Sequence, residues 1–174
     1  IPGLTVIRPG DGNEVAQAWK FAIENRHAPT LLALSRQATP VLDREVYASA
    51  DGLNKGAYIL ADVGPGNPQA VLMASGTEVA LIVEAGQLLA ADGISVRLVS
   101  FPSWELFDRQ NDAYKDSVLP KALSKRVAVE AGIRMGWERW TGPSGQVISL
   151  EHYGASAPYQ VIYQQLGFTA ENVV

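Results

Sequence analysis

The sequence predicts an α/β fold: a mostly parallel sheet flanked by helices, preceded by the tail of another α/β domain. Three observations predict it. Short apolar runs without polar alternation recur along the 174 residues, as strands buried on both faces of a parallel sheet require. Segments with apolar residues at helical spacing separate them, the alternation that builds parallel crossovers. Over residues 38–68 the composition shifts, and Pro40, Gly52, Gly56, Gly64, Pro65, Gly66 and Pro68 interrupt the chain. Residues 1–40 therefore read as the end of one domain, 41–68 as an interdomain linker and 69–174 as the next domain.

Residues 4–7 form a short strand. Turn chemistry follows in Arg8-Pro9-Gly10-Asp11-Gly12. Asp11 or Asn13 is placed to cap a helix over about residues 14–25, with Val15, Ala18, Trp19, Ala22 and Ile23 as its stripe. Pro29 stops that helix. Residues 30–34 are a second buried strand, with Ser35-Arg36-Gln37 at its carboxyl end. Within the linker only residues 57–60 read as a strand. The best-defined unit spans residues 70–101. Its first strand, 70–74, leads to Ser75 and Glu78, which have the spacing of a capping box. Val79, Ile82, Val83, Gly86 and Ala90 then recur at helical spacing, with Leu81, Leu88 and Leu89 widening the stripe. Gly93 suits the left-handed end of that helix, and residues 94–101 return as a parallel strand by a right-handed crossover. Beyond it come a short helix after Pro102-Ser103, a polar stretch over 111–115, a strand over 126–131, a segment holding Trp137 and Trp140, and a strand over 146–150. A helix over 157–166 follows, with Val161, Ile162 and Leu166 inward, and Thr169 caps a last one.

The chain is 47% hydrophobic, enough for a packed core. A net charge of -4, with 14 basic residues that form no run, argues against nucleic acid as a partner. The absence of cysteine excludes disulfides and thiolate chemistry. No apolar run approaches the ~20 residues that a membrane span needs. Ile1-Pro2-Gly3 has no initiator Met and no signal-peptide character, so the chain reads as part of a longer cytoplasmic protein.

Arg36 is the sharpest candidate site residue. It lies just past a buried strand, where open α/β sheets place ligand groups, and a guanidinium offers a planar fork to phosphate or carboxylate. A solvated or ion-paired arginine is the competing reading. Ser75 to Glu78 could hold an anion at a helix N-terminus, but the stretch lacks G-x-G-x-x-G and a P-loop lysine, so a plain helix cap fits better. His27 and His152 have no metal-ligand spacing. Glu130 and Glu151 each follow a strand, yet nothing in the sequence places them together for acid/base work. Trp137 and Trp140 suit either a contact surface or a core.

Seven motifs in order then carry a resemblance. Arg8-Pro9-Gly10-Asp11-Gly12-Asn13-Glu14 is similar to R-P-A-D-A-N-E. Residues 28–37, ending Leu34-Ser35-Arg36-Gln37, are similar to G-P-T-x-L-x-L-S-R-Q. Residues 74–79 resemble A-T/S-G-S/T-E-V, and 100–108 resemble S-M-P-S-W-E-L-F-D. Residues 126–132, 153–158 and 167–174 complete the series. Together they resemble the C-terminal third of the transketolase family, with the fold of its C-terminal domain preceded by the end of its pyrimidine-binding domain.

The resemblance implies transfer of a two-carbon ketol unit from a ketose phosphate to an aldose phosphate in the pentose phosphate pathway. It implies thiamine diphosphate and a divalent metal (Mg or Ca) in the parent enzyme, with none of their ligands and no catalytic group on this fragment. It implies a homodimer, the remaining transketolase domains as partners, and an isolated fragment that is inactive and structural. The arginine of S-R-Q, here Arg36, would bind the sugar phosphate. Deoxyxylulose-phosphate synthases and 2-oxoacid dehydrogenase β-subunits share the third-domain fold, but they carry D-L-R-type sequences where this chain has residues 101–107. The alternative from another class is a stand-alone assembly or anion-binding domain without catalysis.

Overall fold

The computed structural model describes all residues from Ile1 to Val174. Strand β1 (Thr5–Ile7), helix α1 (Gly12–Glu24) and strand β2 (Thr30–Leu32) form a small parallel unit in which Ile7 lies opposite Leu32. A 3-10 helix (Ala50–Lys55) leads into β3 (Tyr58–Val63), β4 (Ala70–Ala74), α2 (Glu78–Ala91) and β5 (Val96–Ser100). Then come α3 (Trp104–Asp108), α4 (Asp112–Val118), β6 (Arg126–Val129), α5 (Glu138–Thr141), β7 (Gln146–Ile148), α6 (Tyr159–Gln165) and α7 (Ala170–Val173). The second sheet has the order β3-β5-β4-β6-β7. Its strands are parallel except β3, an antiparallel edge strand paired with β5 through a bulge between Ile59 and Ala61.

This sheet is covered on both faces, which explains its unbroken apolar strands. On β4, Leu72 and Ala74 face a core with Val79, Ile82, Leu98 and the α7 residues Ala170 and Val173. Val71 and Met73 face the opposite core, where Phe101, Phe107, Trp137 and Trp140 meet. Phe101 lies 5.0 Å from Phe107, 5.6 Å from Trp137 and 5.0 Å from Trp140, ring centre to ring centre. The two tryptophans are thus core residues and form no contact surface. A third, smaller core of Ile7, Ala18, Leu53 and Leu106 joins the first unit to the rest.

Several elements differ from the sequence reading. Trp19 and Ile23 are 52% and 66% exposed, although they belong to the α1 stripe. Leu88 on α2 is exposed as well. On α6, Val161 faces outward and Tyr163 packs inward, because the tyrosine ring meets Phe168 while its hydroxyl reaches Glu78. The polar stretch at 111–115 opens α4, capped by Asn111, whose Oδ1 accepts from Tyr114 N at 2.8 Å. A polar stretch can be helical when a cap satisfies its free amides and one face still packs.

Candidate functional site

In open α/β sheets, ligands sit beyond the carboxyl ends of the strands where neighbouring crossovers diverge. Here that crevice lies between β4 and β6, because α2 leads from β4 to β5 while β6 flanks the other side. Ser75 follows β4, Glu130 follows β6, and Glu78 opens α2. The crevice is filled by Arg8, which follows β1. Its Nη1 lies 2.6 Å from Glu78 Oε2 and 2.8 Å from Glu130 Oε1. The same nitrogen donates to Ser75 O at 2.9 Å and Ser75 Oγ at 3.0 Å. Ser75 Oγ donates to Glu130 Oε2 at 2.9 Å, and the Tyr163 and Thr77 hydroxyls donate to Glu78.

The electrostatics follow from burial. Desolvation pushes the Glu130 carboxyl above its ordinary value, opposed by Arg8 and reinforced by Glu78. Burial alone would lower Arg8, but the Glu78 and Glu130 carboxylates hold it above the usual arginine value. Burial and the Glu78 carboxylate raise the Tyr163 hydroxyl.

This network corrects the expected capping box and also counts against the anion reading, which the sequence already places second. Ser75 and Glu78 form no capping box: Thr77 is the N-cap residue of α2 and makes no side-chain cap bond, while Ser75 turns to Glu130. Nor does the α2 N-terminus suit a free anion, because two carboxylates already stand there around one guanidinium.

A second buried cluster lies beside it. Glu14, 1% exposed, accepts from Tyr58 OH at 2.7 Å, Ser100 Oγ at 2.5 Å and Gly10 N at 2.7 Å. Asp11 caps α1 through Glu14 N at 2.9 Å and pairs with Arg44 Nη2 at 2.8 Å. Both clusters join the first unit to the carboxyl end of the five-stranded sheet.

Arg36 stands apart from these pairs. It is exposed and has no hydrogen bond or ion pair within the chain. Its turn is shaped by Ser35 Oγ, which donates to Gln37 O at 2.6 Å. Ser35 and Gln37 line a cavity of about 250 Å³ together with Arg8, Thr77 and Tyr163. A neighbouring cavity of about 290 Å³ shares Gln37, Thr77 and Tyr163 with it. Glu130 and Glu151 are not brought together, since Glu151 bonds Ser149 Oγ and Arg134 N. His152 Nδ1 lies 2.7 Å from Tyr153 O. No group of three or more acidic or histidine side chains is placed to hold a metal ion. The residue that sequence reasoning missed is Arg8. The signal was available, because Arg8 follows a buried strand just as Arg36 does.

Residues 56–169 match the family model described as the transketolase-like TK C-terminal domain, and residues 1–41 match the transketolase pyrimidine binding domain. The chain belongs to the transketolase family. The transketolase of Geobacillus stearothermophilus is 45% identical over 174 residues, which are 100% of this chain and 26% of that relative. A solved transketolase from Leishmania mexicana is 41% identical with a TM-score of 0.89, over 99% of this chain and 24% of its own. A transketolase from Pichia stipitis in complex with sedoheptulose-7-phosphate is 37% identical with a TM-score of 0.88, again over 99% of this chain and 24% of its own. The chain thus spans about a quarter of the length of the transketolases it matches. No helix is long and apolar enough to cross a membrane.

Proposed function

We propose that this chain is the C-terminal portion of a transketolase that moves a two-carbon ketol unit from a ketose phosphate to an aldose phosphate. Family membership supports the reaction class, and the sugar phosphate in the Pichia stipitis complex supports the substrate class. Residues 1–40 are read as the end of the pyrimidine-binding domain, 41–68 as the connection bearing β3, and 69–174 as the C-terminal domain. Thiamine diphosphate and its divalent metal, magnesium or calcium, supply the carbanion chemistry of the parent enzyme. Their ligands are assigned to the remaining domains, so the isolated chain is expected to be inactive. A cytoplasmic homodimer acting in the pentose phosphate pathway completes the proposal.

The contribution of this chain to the reaction is Arg36. The assignment comes from the S-R-Q resemblance, and it is supported by an exposed guanidinium without an internal partner, on a turn past the carboxyl end of a parallel strand, whose neighbours Ser35 and Gln37 line a cavity. The planar fork pairs with a phosphate by charge-assisted hydrogen bonds worth about 2–3 kcal/mol. In the complete enzyme, Arg36→Ala is expected to raise KM for phosphorylated ketoses roughly 30- to 150-fold, the kinetic equivalent of that energy. The KM for hydroxypyruvate, a donor without phosphate, stays near its wild-type value. Equal damage to both donors would overturn the phosphate role.

A further inference from the structure

The Arg8 network has a geometric connection to the Arg36 turn. Arg8 is gripped by its backbone as well as its side chain. Its N donates to Pro102 O at 2.8 Å beyond β5, and its O accepts from Gly76 N at 3.0 Å beyond β4. The fit is close enough to require glycine at 76, where φ is +59° and a Cβ would lie 2.5 Å from Arg8 Cζ. One residue earlier, Ile7 O accepts from Ala33 N at 2.9 Å, so the carboxyl end of β2 hangs on the carboxyl end of β1. Arg36 lies three residues beyond Ala33, and its neighbours Ser35 and Gln37 share a cavity wall with Arg8, Thr77 and Tyr163.

We propose that Arg8, clamped by Glu78 and Glu130, is a positioning residue for Arg36. The C-terminal domain then sets where the phosphate-binding guanidinium stands, through the path Glu130–Arg8–Ile7–Ala33–Arg36. The inference rests on the phosphate role of Arg36 and extends it to a second domain. Three features support it. The guanidinium carries one charge against two carboxylates, Glu78 buried and Glu130 half-buried, so it is held without freedom to swing. The β1–β2 pairing spans only three residue pairs, so the end of this small sheet has few other restraints. Binding energy from a charged fork depends steeply on placement, and a misplacement near 1 Å can cost on the order of 100-fold.

The test uses the complete cofactor-loaded enzyme and two gentle substitutions, Glu130→Gln and Tyr163→Phe, which keep side-chain shape while weakening the clamp. Arg8→Ala is less suitable alone, because it strips the buried Glu78 and the half-buried Glu130 of their counter-charge and endangers folding. Two quantities are read: KM for xylulose 5-phosphate against KM for hydroxypyruvate, and the calorimetric Kd of ribose 5-phosphate without donor, which needs no turnover. Glu130→Gln is expected to raise the phosphorylated-donor KM and the ribose 5-phosphate Kd by up to ~10-fold while the hydroxypyruvate KM holds. In an Arg36→Ala background the same substitution is expected to have no further effect on either, since coupled residues are not additive. If Glu130→Gln and Tyr163→Phe alter neither quantity, alter both donors alike, or add fully to Arg36→Ala, the positioning role is overturned while the Arg36 assignment stands. If Arg36→Ala itself fails to discriminate the donors, the phosphate reading falls, and this inference with it.

Discussion

Glu14 carries a net-unfavourable ionisation into the folded state. Burial raises its pKa, and the hydrogen bonds from Ser100, Tyr58 and Gly10 offset that only in part. A carboxyl whose pKa is higher folded than unfolded binds more protons when folded. Its contribution to stability therefore falls as pH rises from the ordinary value of 4.5 through the folded pKa, and above that the penalty is complete. Glu14→Gln keeps the shape and removes the titration. Urea unfolding at stepped pH is expected to show the variant gaining on the wild type as pH rises from 4.5; a difference that does not change with pH would refute this. At the same scale, Arg8 and Arg36 illustrate what local context leaves open. Both follow short parallel strands, yet one is saturated by carboxylates and the other is free. Only the position of the β4–β6 crevice separates them.

At the scale of elements, two glycines show how tightly the secondary structures approach. Gly56 precedes β3 with φ at +86°, and a Cβ there would lie 2.1 Å from Phe107 N and 2.4 Å from Ser103 O. Both obstacles are backbone, so α3 would have to move. Gly56→Ala is expected to cost about 3 kcal/mol or more, combining left-handed strain with overpacking. Gly86, inside α2, meets only side-chain ends: Leu98 Cδ2 at 2.8 Å and Val63 Cγ2 at 3.2 Å. Alanine is favoured over glycine within a helix by about 1 kcal/mol, which offsets the repacking, so Gly86→Ala is expected to lie within about 1 kcal/mol of wild type. Denaturation midpoints measured side by side check both. The α2 start carries the complementary lesson. Ser75 and Glu78 have capping-box spacing, but each finds a stronger charged partner than a backbone amide, and the box does not form.

For the molecule as a whole, the question is how firmly residues 1–41 are held to the five-stranded sheet. The small Ile7, Ala18, Leu53 and Leu106 core is aided by the Arg8 and Glu14 clusters and by Asp11, which caps α1, accepts from Leu42 N at 3.0 Å and pairs with Arg44. Asp11→Ala removes a cap and strands a partly buried guanidinium, at an expected cost of about 3 kcal/mol. Native-state hydrogen exchange is expected to show α1 opening far more readily in this variant while β4 keeps its protection. Loss of protection in both elements together would mean that they unfold as one unit. The apolar faces left open by Trp19, Ile23, Leu31 and Leu34 belong to this same small unit.

The sequence by itself determined the order of the strands and of the helices α1 and α2, the β4–α2–β5 crossover, the turn that presents Arg36 and the family resemblance. Those features are local: hydrophobic period, turn chemistry and contiguous motifs are written within a few residues of one another. Only the tertiary structure decided that Arg8 meets Glu130, 122 positions away, that Tyr163 and not Val161 faces inward, and that Trp137 and Trp140 are core. The physical reason is that a periodic pattern states which positions are able to be buried. Which of them are buried, and which charges meet there, depends on the neighbours that the strand order brings alongside.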